Sequence, residues 1–364
     1  MEISSIESRL FETFMTLVQI DSPSGKEAQL GIYLEYWLKQ SGFDYSQDMV
    51  GNIFATKSGT GNPLLFCAHM DTVNPGCGIK PVLESGVFKS DGKTTILGAD
   101  NKAPMTAIMI GVEDYLKQTE NPRPIELLFT VKEETGGGVE LFDAKRIVSK
   151  HGIIFDMVKP IGGITIASPH IINFVIEFKG KSAHASTPEK GISVLEPVAK
   201  FLQSVRIGKL DDDQTTINVG LVNAGTVVNA VPGQAVISGE VRSFDKVLFD
   251  KHLDAIEQQA RNVIVGNAVK IEFSTDGYCP GYSYTPDDVW VNFVSDIYKE
   301  NDVVTSCEKV SGVSDANSLN AAGVKVLTLG DGVEDAHTPE ESVSLDSIKK
   351  MRQLVVAFLE KYQP

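Results

Sequence analysis

Short apolar runs that end in a histidine or an acid recur along this chain, separated by stretches of helical spacing. Leu64-Leu65-Phe66-Cys67-Ala68 leads into His69-Met70-Asp71. Phe129-Thr130-Val131 leads into Lys132-Glu133-Glu134, and Ile153-Ile154-Phe155 closes on Asp156. A short apolar run bounded by polar or turn residues reads as a buried strand. Strands that alternate with helices predict an α/β layer structure, at least partly parallel. In such sheets, sites collect beyond the carboxyl ends of the strands. The polar clusters of this chain fall there.

The intervening stretches carry the helical period. Ile6, Leu10, Phe14 and Leu17 share one face over residues 4–20. Leu30, Tyr33, Leu34, Trp37 and Leu38 share another, after Ser22-Pro23-Ser24-Gly25 and before a stop at Gly42. Residues 43–57 read as short strands around a turn at Gly51-Asn52. Ser90-Asp91-Gly92-Lys93 carries a hairpin signal. A helix is expected from about Lys102 to Leu116, and a buried strand from Arg123 to Val131.

The texture changes near residue 172. Strand patterns at 172–179, 216–222, 234–241 and 268–274 interleave with helical patterns at 191–205 and 246–263, an α+β unit. The first texture resumes after Tyr278-Cys279-Pro280-Gly281-Tyr282. This predicts a three-layer α/β domain with a mixed, largely parallel sheet, split over 1–171 and 282–364, and an inserted α+β domain at 172–281.

Charge excludes some functions. There are 48 acidic residues against 33 basic, a net charge of -15, and no long basic run. A nucleic-acid or anionic-membrane partner is not expected. No apolar run approaches the roughly 20 residues of a membrane span, and no signal peptide is visible at the N-terminus. Cys67, Cys77, Cys279 and Cys307 lack Cys-x-x-Cys spacing. They read as free thiols in a reducing compartment, and the cytoplasm is the expected location.

The polar clusters carry the chemistry. On a strand, His69 and Asp71 would share a face, an imidazole beside a carboxylate that can fix its tautomer. Asp100, in Leu97-Gly98-Ala99-Asp100-Asn101-Lys102, could also be a helix N-cap. Adjacent Glu133 and Glu134 repel one another unless cations neutralise them. Asp156 closes its strand, and His337 lies in Asp335-Ala336-His337-Thr338-Pro339-Glu340. Mixed imidazole and carboxylate ligands suit Zn²⁺, Mn²⁺ or Co²⁺ better than Mg²⁺ or Ca²⁺. Five such residues exceed the needs of one catalytic zinc and fit two metals if a carboxylate bridges them.

In this order, His69-x-Asp71, Gly-x-Asp100, Glu133-Glu134, Asp156 and His337 resemble the signature of the di-zinc peptidases and deacylases. That family includes peptidase T, carboxypeptidase G, aminoacylase and succinyl-diaminopimelate desuccinylase, and the chain is most similar to peptidase T-like members. The resemblance extends to the insert through Gly180-Lys181-Ser182-Ala183-His184-Ala185, Val228-Asn229-Ala230-Val231-Pro232 and Gly239-Glu240-Val241-Arg242-Ser243. It covers Ser311-Gly312-Val313-Ser314-Asp315-Ala316-Asn317, a loop that members place near the site.

The resemblance implies that Asp100 bridges two metals, most often zinc. His69 and Asp156 would complete one, and Glu134 and His337 the other. Asp71 would hold His69, and the bond after Asp100 is often cis in this family. Glu133 would be general base to a metal-bound hydroxide attacking an amide. His184, Asn229 and Arg242 would bind substrate, and the insert would be a lid and homodimerisation domain. The implied substrate is a short peptide, cleaved by aminopeptidase or tripeptidase action. An N-acyl amino acid is the alternative, and a non-catalytic binding protein on the same fold a third. A phosphotransferase built on Asp clusters and Mg²⁺ fits two histidine ligands poorly, and the chain lacks a Gly-rich phosphate loop. The chain departs from the family at Asn101, Pro104, Gly136-Gly137-Gly138, Ser186 and Val313, none of them an expected ligand.

Overall fold

The computed structural model describes residues 5–266 and 268–363. The chain divides into two compact units. One comprises the residues up to Ile166, Tyr284–Val310 and those from Ser314 on; the other is Ala167–Ser283 with Ser311–Val313. The second unit thus starts at Ala167 rather than at residue 172, and a short piece from far along the chain joins it.

A nine-stranded mixed sheet carries the site. Its order is Asp44–Gln47, Ile53–Lys57, Ile125–Thr130, Leu64–His69, His151–Met157, Lys325–Gly330, Gly163–Ser168 and Tyr282–Ser283, with Ser306–Lys309 on Gly163–Ser168. The four central strands, Ile125–Thr130 to Lys325–Gly330, run parallel, and the pairings of Asp44–Gln47, Ile53–Lys57, Gly163–Ser168 and Tyr282–Ser283 along that order are antiparallel. In the central strands Leu64–His69 and Ile125–Thr130 every residue is buried, as parallel strands covered on both faces require. Register decides what meets at their ends. His69 pairs with Thr130, and Cys67 pairs with Ile154, which brings His69 level with Asp156.

Leu64, Phe66 and Ala68 face the main core. Cys67, on the opposite pleat, lies 3.7 Å from the Asp315 carboxylate of helix Asp315–Ala321. On the core side, helix Ala99–Gln118 packs against Ser5–Gln19 and Leu345–Lys361. Its first two residues after Ala99 are not helical, so regular helix begins at Lys102. Pro104 sits in that first turn, where its missing N–H costs nothing. Gly111 permits close approach to the C-terminal helix. A Cβ there would lie 2.8 Å from Val355 Cβ and 3.1 Å from Arg352 O. Neither is a flexible side-chain tip, so crowding of about 1–3 kcal/mol outweighs the roughly 1 kcal/mol that alanine gains in helix propensity. Gly111→Ala is expected to lower the urea midpoint of unfolding without changing its slope.

The second unit holds a five-stranded antiparallel sheet in the order Gly208–Leu210, Thr215–Ala224, Gln234–Ser243, His170–Lys179, Lys270–Cys279. Helices Leu195–Ser204 and Lys246–Asn262 supply Phe201, Phe249 and Ile256 to a core with Phe174, Ile176, Phe178 and Ile237. Asp245 caps the second helix by accepting from Val247 N–H and Leu248 N–H.

Two local expectations are corrected. The hairpin near residue 90 turns at Ser85-Gly86, between Val82–Glu84 and Val87–Lys89. Asp91-Gly92 follows it in a loop, where the Asp91 carboxylate accepts from the Lys93 and Thr94 amides. The strand through His69 ends at that residue, so Asp71 lies beyond it rather than in it. There the chain turns to the N-terminal segment, with Thr72 N–H donating to Ser22 O.

Candidate metal centre

Parallel register puts the ends of three strands together, and each ends in a potential ligand or in a loop bearing one. His69 closes Leu64–His69, Asp156 lies near the end of His151–Met157, and Glu133-Glu134 follow Ile125–Thr130 in a short 3-10 turn. Asp100 approaches from the start of the long helix, and His337 from the loop after Val333–Glu334.

These side chains converge on Asp100. Its Oδ1 lies 3.1 Å from His69 Nε2, and its Oδ2 lies 3.3 Å from His337 Nε2. His69 Nε2 is 3.5 Å from Asp156 Oδ1, and His337 Nε2 is 2.9 Å from Glu134 Oε1. Ligand-type atoms thus fall into the groups His69–Asp100–Asp156, Asp100–Glu134–His337 and His69–Glu133–Glu134, each within 4.8 Å. The His337 side chain is half exposed and that of His69 is 2% exposed, so the centre is open on the His337 side. The Asp100–Asn101 peptide bond is cis.

The cluster is strongly acidic. Asp71, Asp100, Glu133, Glu134, Asp156 and Asp315 gather around two imidazoles. Burial, then Asp156, push the Glu133 carboxyl well above the usual carboxylate range. Burial above all pushes Asp156 up to about 7 and Asp315 to about 6. Burial alone would lower His69, but bonds to Asp100, Asp156 and Asp71 carry it well above its ordinary value. Asp100, and then Glu134, push His337 up to about 10. Burial opposes ionisation of Asp100, yet His337 and His69 hold its carboxyl below the ordinary range. Divalent cations held here would neutralise these carboxylates. Oxygen and imidazole donors in this ratio fit zinc, manganese or cobalt.

The surrounding contacts differ from a simple His–Asp pair. His69 Nδ1 lies 3.0 Å from the backbone carbonyl of Asp71 and 3.4 Å from its carboxylate. The Asp71 carboxylate instead accepts from Glu133 N–H at 2.9 Å, Glu134 N–H at 3.3 Å and Ser24 Oγ at 2.6 Å. It therefore locks the Glu133-Glu134 turn against the end of the His69 strand. Asn101 donates from Nδ2 to Phe155 O and to Asp156 Oδ1, at 2.7 and 2.9 Å. An ionised aspartate could not donate there, so the asparagine amide gives Asp156 a hydrogen bond that a carboxylate at this position could not.

His184, Asn229 and Arg242 belong to the second unit. His184 Nδ1 pairs with Ser186 Oγ at 2.7 Å, and Asn229 O accepts from Ala185 N–H. Arg242 Nε and Nη2 grip the Glu240 carboxylate at 2.5 and 2.8 Å, and Nη1 donates to Ser311 O at 2.7 Å. Its fork is already engaged within the fold.

Sequence reasoning did not single out Ser24, Glu341 or Asp331. Asp331 is fully buried beyond strand Lys325–Gly330. Burial and Asp100 push its carboxyl well above the usual range, and its Oδ2 has no hydrogen-bond partner. The only available signal was an acid directly after an apolar strand, the one that marked Asp156.

Residues 65–361 match the model of peptidase family M20/M25/M40. YqjE of Bacillus subtilis is 31% identical over 98% of both chains. The crystal structure of aminopeptidase PepT from Bacillus cereus superposes with a TM-score of 0.90 at 30% identity, covering 97% of this chain and 98% of that one. A tripeptidase from Staphylococcus aureus gives a TM-score of 0.90 at 27% identity, with the same coverage. The strand order, the placement of acids and histidines at the strand ends and these matches agree, and the chain belongs to peptidase family M20/M25/M40.

Proposed function

We propose that the chain is a metal-dependent exopeptidase that hydrolyses amide bonds of short peptides, in the manner of an aminopeptidase or tripeptidase. The observation that carries this reading is the pair of histidines facing opposite oxygens of one buried aspartate, with Glu133 beside them. The likeness to an aminopeptidase and a tripeptidase over nearly the whole chain supports the substrate class.

Asp100 would be shared between two divalent cations, most often zinc. His69 and Asp156 would complete one set, and Glu134 and His337 the other. Bound there, such cations supply Lewis acidity, acidifying a water and polarising a carbonyl. Glu133 is left over by these two sets, yet it offers a carboxylate oxygen within 4.8 Å of a His69 ring nitrogen and a Glu134 oxygen. It takes the proton of the attacking water and returns it to the leaving amine. Asp71 orients that base by binding its backbone amide. His184 would donate to the oxyanion, while Asn229 and Arg242 would bind the substrate's carbonyl or carboxylate. A carboxylate reaching Arg242 must share it with Glu240.

The second unit would serve as lid and homodimer contact. The four cysteines are free thiols. No helix among the described residues is long and apolar enough to cross a membrane.

A substrate panel tests the reading. Purified protein loaded with Zn²⁺, Co²⁺ or Mn²⁺ is expected to release the N-terminal residue from tripeptides and to leave N-acetyl amino acids intact. Removal of the metal by a chelator should stop turnover, and re-addition should restore it. Deacetylation without peptide cleavage would replace this reading with that of a deacylase.

A further inference from the structure

Glu341 is an acid that the metal sets leave unused, and it is 1% exposed. Its Oε2 accepts from Leu97 N–H at 2.8 Å and Gly98 N–H at 2.7 Å, and its Oε1 from Asp100 N–H at 3.0 Å. All three donors lie in the turn that presents Asp100. That turn depends on Gly98, whose φ of 70° lies in the left-handed region, and where a Cβ would press to 3.2 Å from Thr72. Buried Lys102, whose Nζ donates to Ile20 O, is close enough to feel the Glu341 charge.

The placement of Glu341 in the chain gives this contact a purpose. It follows His337 by one short turn, closed by Glu341 N–H donating to Thr338 O. One loop therefore grips Asp100 twice, through His337 on its carboxylate at 3.3 Å and Glu341 on its backbone. A carboxylate can accept several N–H bonds at once. A glutamine amide would turn one end towards them as a donor.

We propose that Glu341 is a positioning residue of the metal centre: it holds the Asp100 backbone so that the carboxylate faces His337, and so sets the affinity for the cation shared by Asp100, Glu134 and His337. This rests on the metal reading above. Supporting groups of this kind typically change metal affinity by about 10–100-fold.

The test is metal titration of the chelator-stripped full chain, comparing wild type with Glu341→Gln and Glu341→Asp. Fold is checked by circular dichroism and the centre by Co²⁺ absorption. Wild type is expected to bind two Co²⁺ ions. Glu341→Gln should bind one of them about 10–100-fold more weakly, with an altered Co²⁺ spectrum, and saturating metal should restore much of its kcat. Glu341→Asp, which keeps the carboxylate, should fall between. Folded variants that bind both ions as wild type does would overturn the proposal. So would failure of both variants to fold, since Glu341 would then serve the fold alone. A wild-type chain that binds no divalent cation would overturn the metal reading itself, which separates that failure from this one.

Discussion

Glu133→Ala is expected to lower kcat on a tripeptide by about 10²–10⁴-fold, the usual contribution of a positioned proton-transfer group, and to leave metal content unchanged. That range corresponds to about 3–5 kcal/mol of barrier. The physical ground is that two groups that could each hold a cation form without Glu133, His69–Asp100–Asp156 and Asp100–Glu134–His337. Its carboxylate is nonetheless held at the centre, because Asp71 Oδ1 fixes its backbone amide at 2.9 Å. Glu133→Gln keeps the shape and removes the basicity, so it should be as inactive as the alanine variant. Metal analysis alongside single-turnover kinetics decides the matter. Loss of a cation from either variant would make Glu133 a ligand, as the His69–Glu133–Glu134 group would allow, and would sink its role as base.

The second expected result is larger in scope. Asp100→Ala should abolish both retention of metal and turnover. Each of the two ligand sets includes Asp100, since its two oxygens face His69 and His337 separately. On the proposed reading, removing it would take a ligand from both cations at once and leave His69 facing Asp156, and His337 facing Glu134, with no shared carboxylate between. Thermal melting gives a readout independent of activity. A cation at 100 times its Kd stabilises the folded state by about 2.7 kcal/mol, so added Zn²⁺ should raise the Tm of wild type and leave that of Asp100→Ala where it was. A variant that still binds two ions with wild-type affinity would show that Asp100 is not shared.

Part of this architecture was legible because it is written as local periodicity. The apolar run 64–68, and the run 125–129 with Glu126 its one charged residue, read as buried strands, and the acids or histidines that follow them mark where polar partners must gather. The helices of residues 5–19 and 28–40 follow from an apolar face repeating at helical spacing, whereas Ala99–Gln118 is buried on nearly every side. Other elements carried no such mark. The three-residue edge strand Gly208–Leu210 is short and exists through its neighbour Thr215–Ala224. The Asp91-Gly92 signal named a plausible turn, but the strands around it pair one step earlier. Local turn chemistry yields when the flanking residues find better partners.

Hydrophobic period and polar punctuation are local properties, so the layered class and the position of the chemically active residues after apolar runs can be read directly from the order of residues. Only the tertiary structure decided which atoms meet. Parallel register sets His69 level with Asp156. A turn at left-handed Gly98, held by Glu341, presents Asp100 to two histidines. The Asp71 carboxylate turns out to bind the amides of Glu133 and Glu134 rather than His69 first, and Glu341 reaches across the fold to the Asp100 turn. These are contacts between residues far apart in the chain. Their cost and benefit arise from burial, which does not exist until the sheet has formed and water has left.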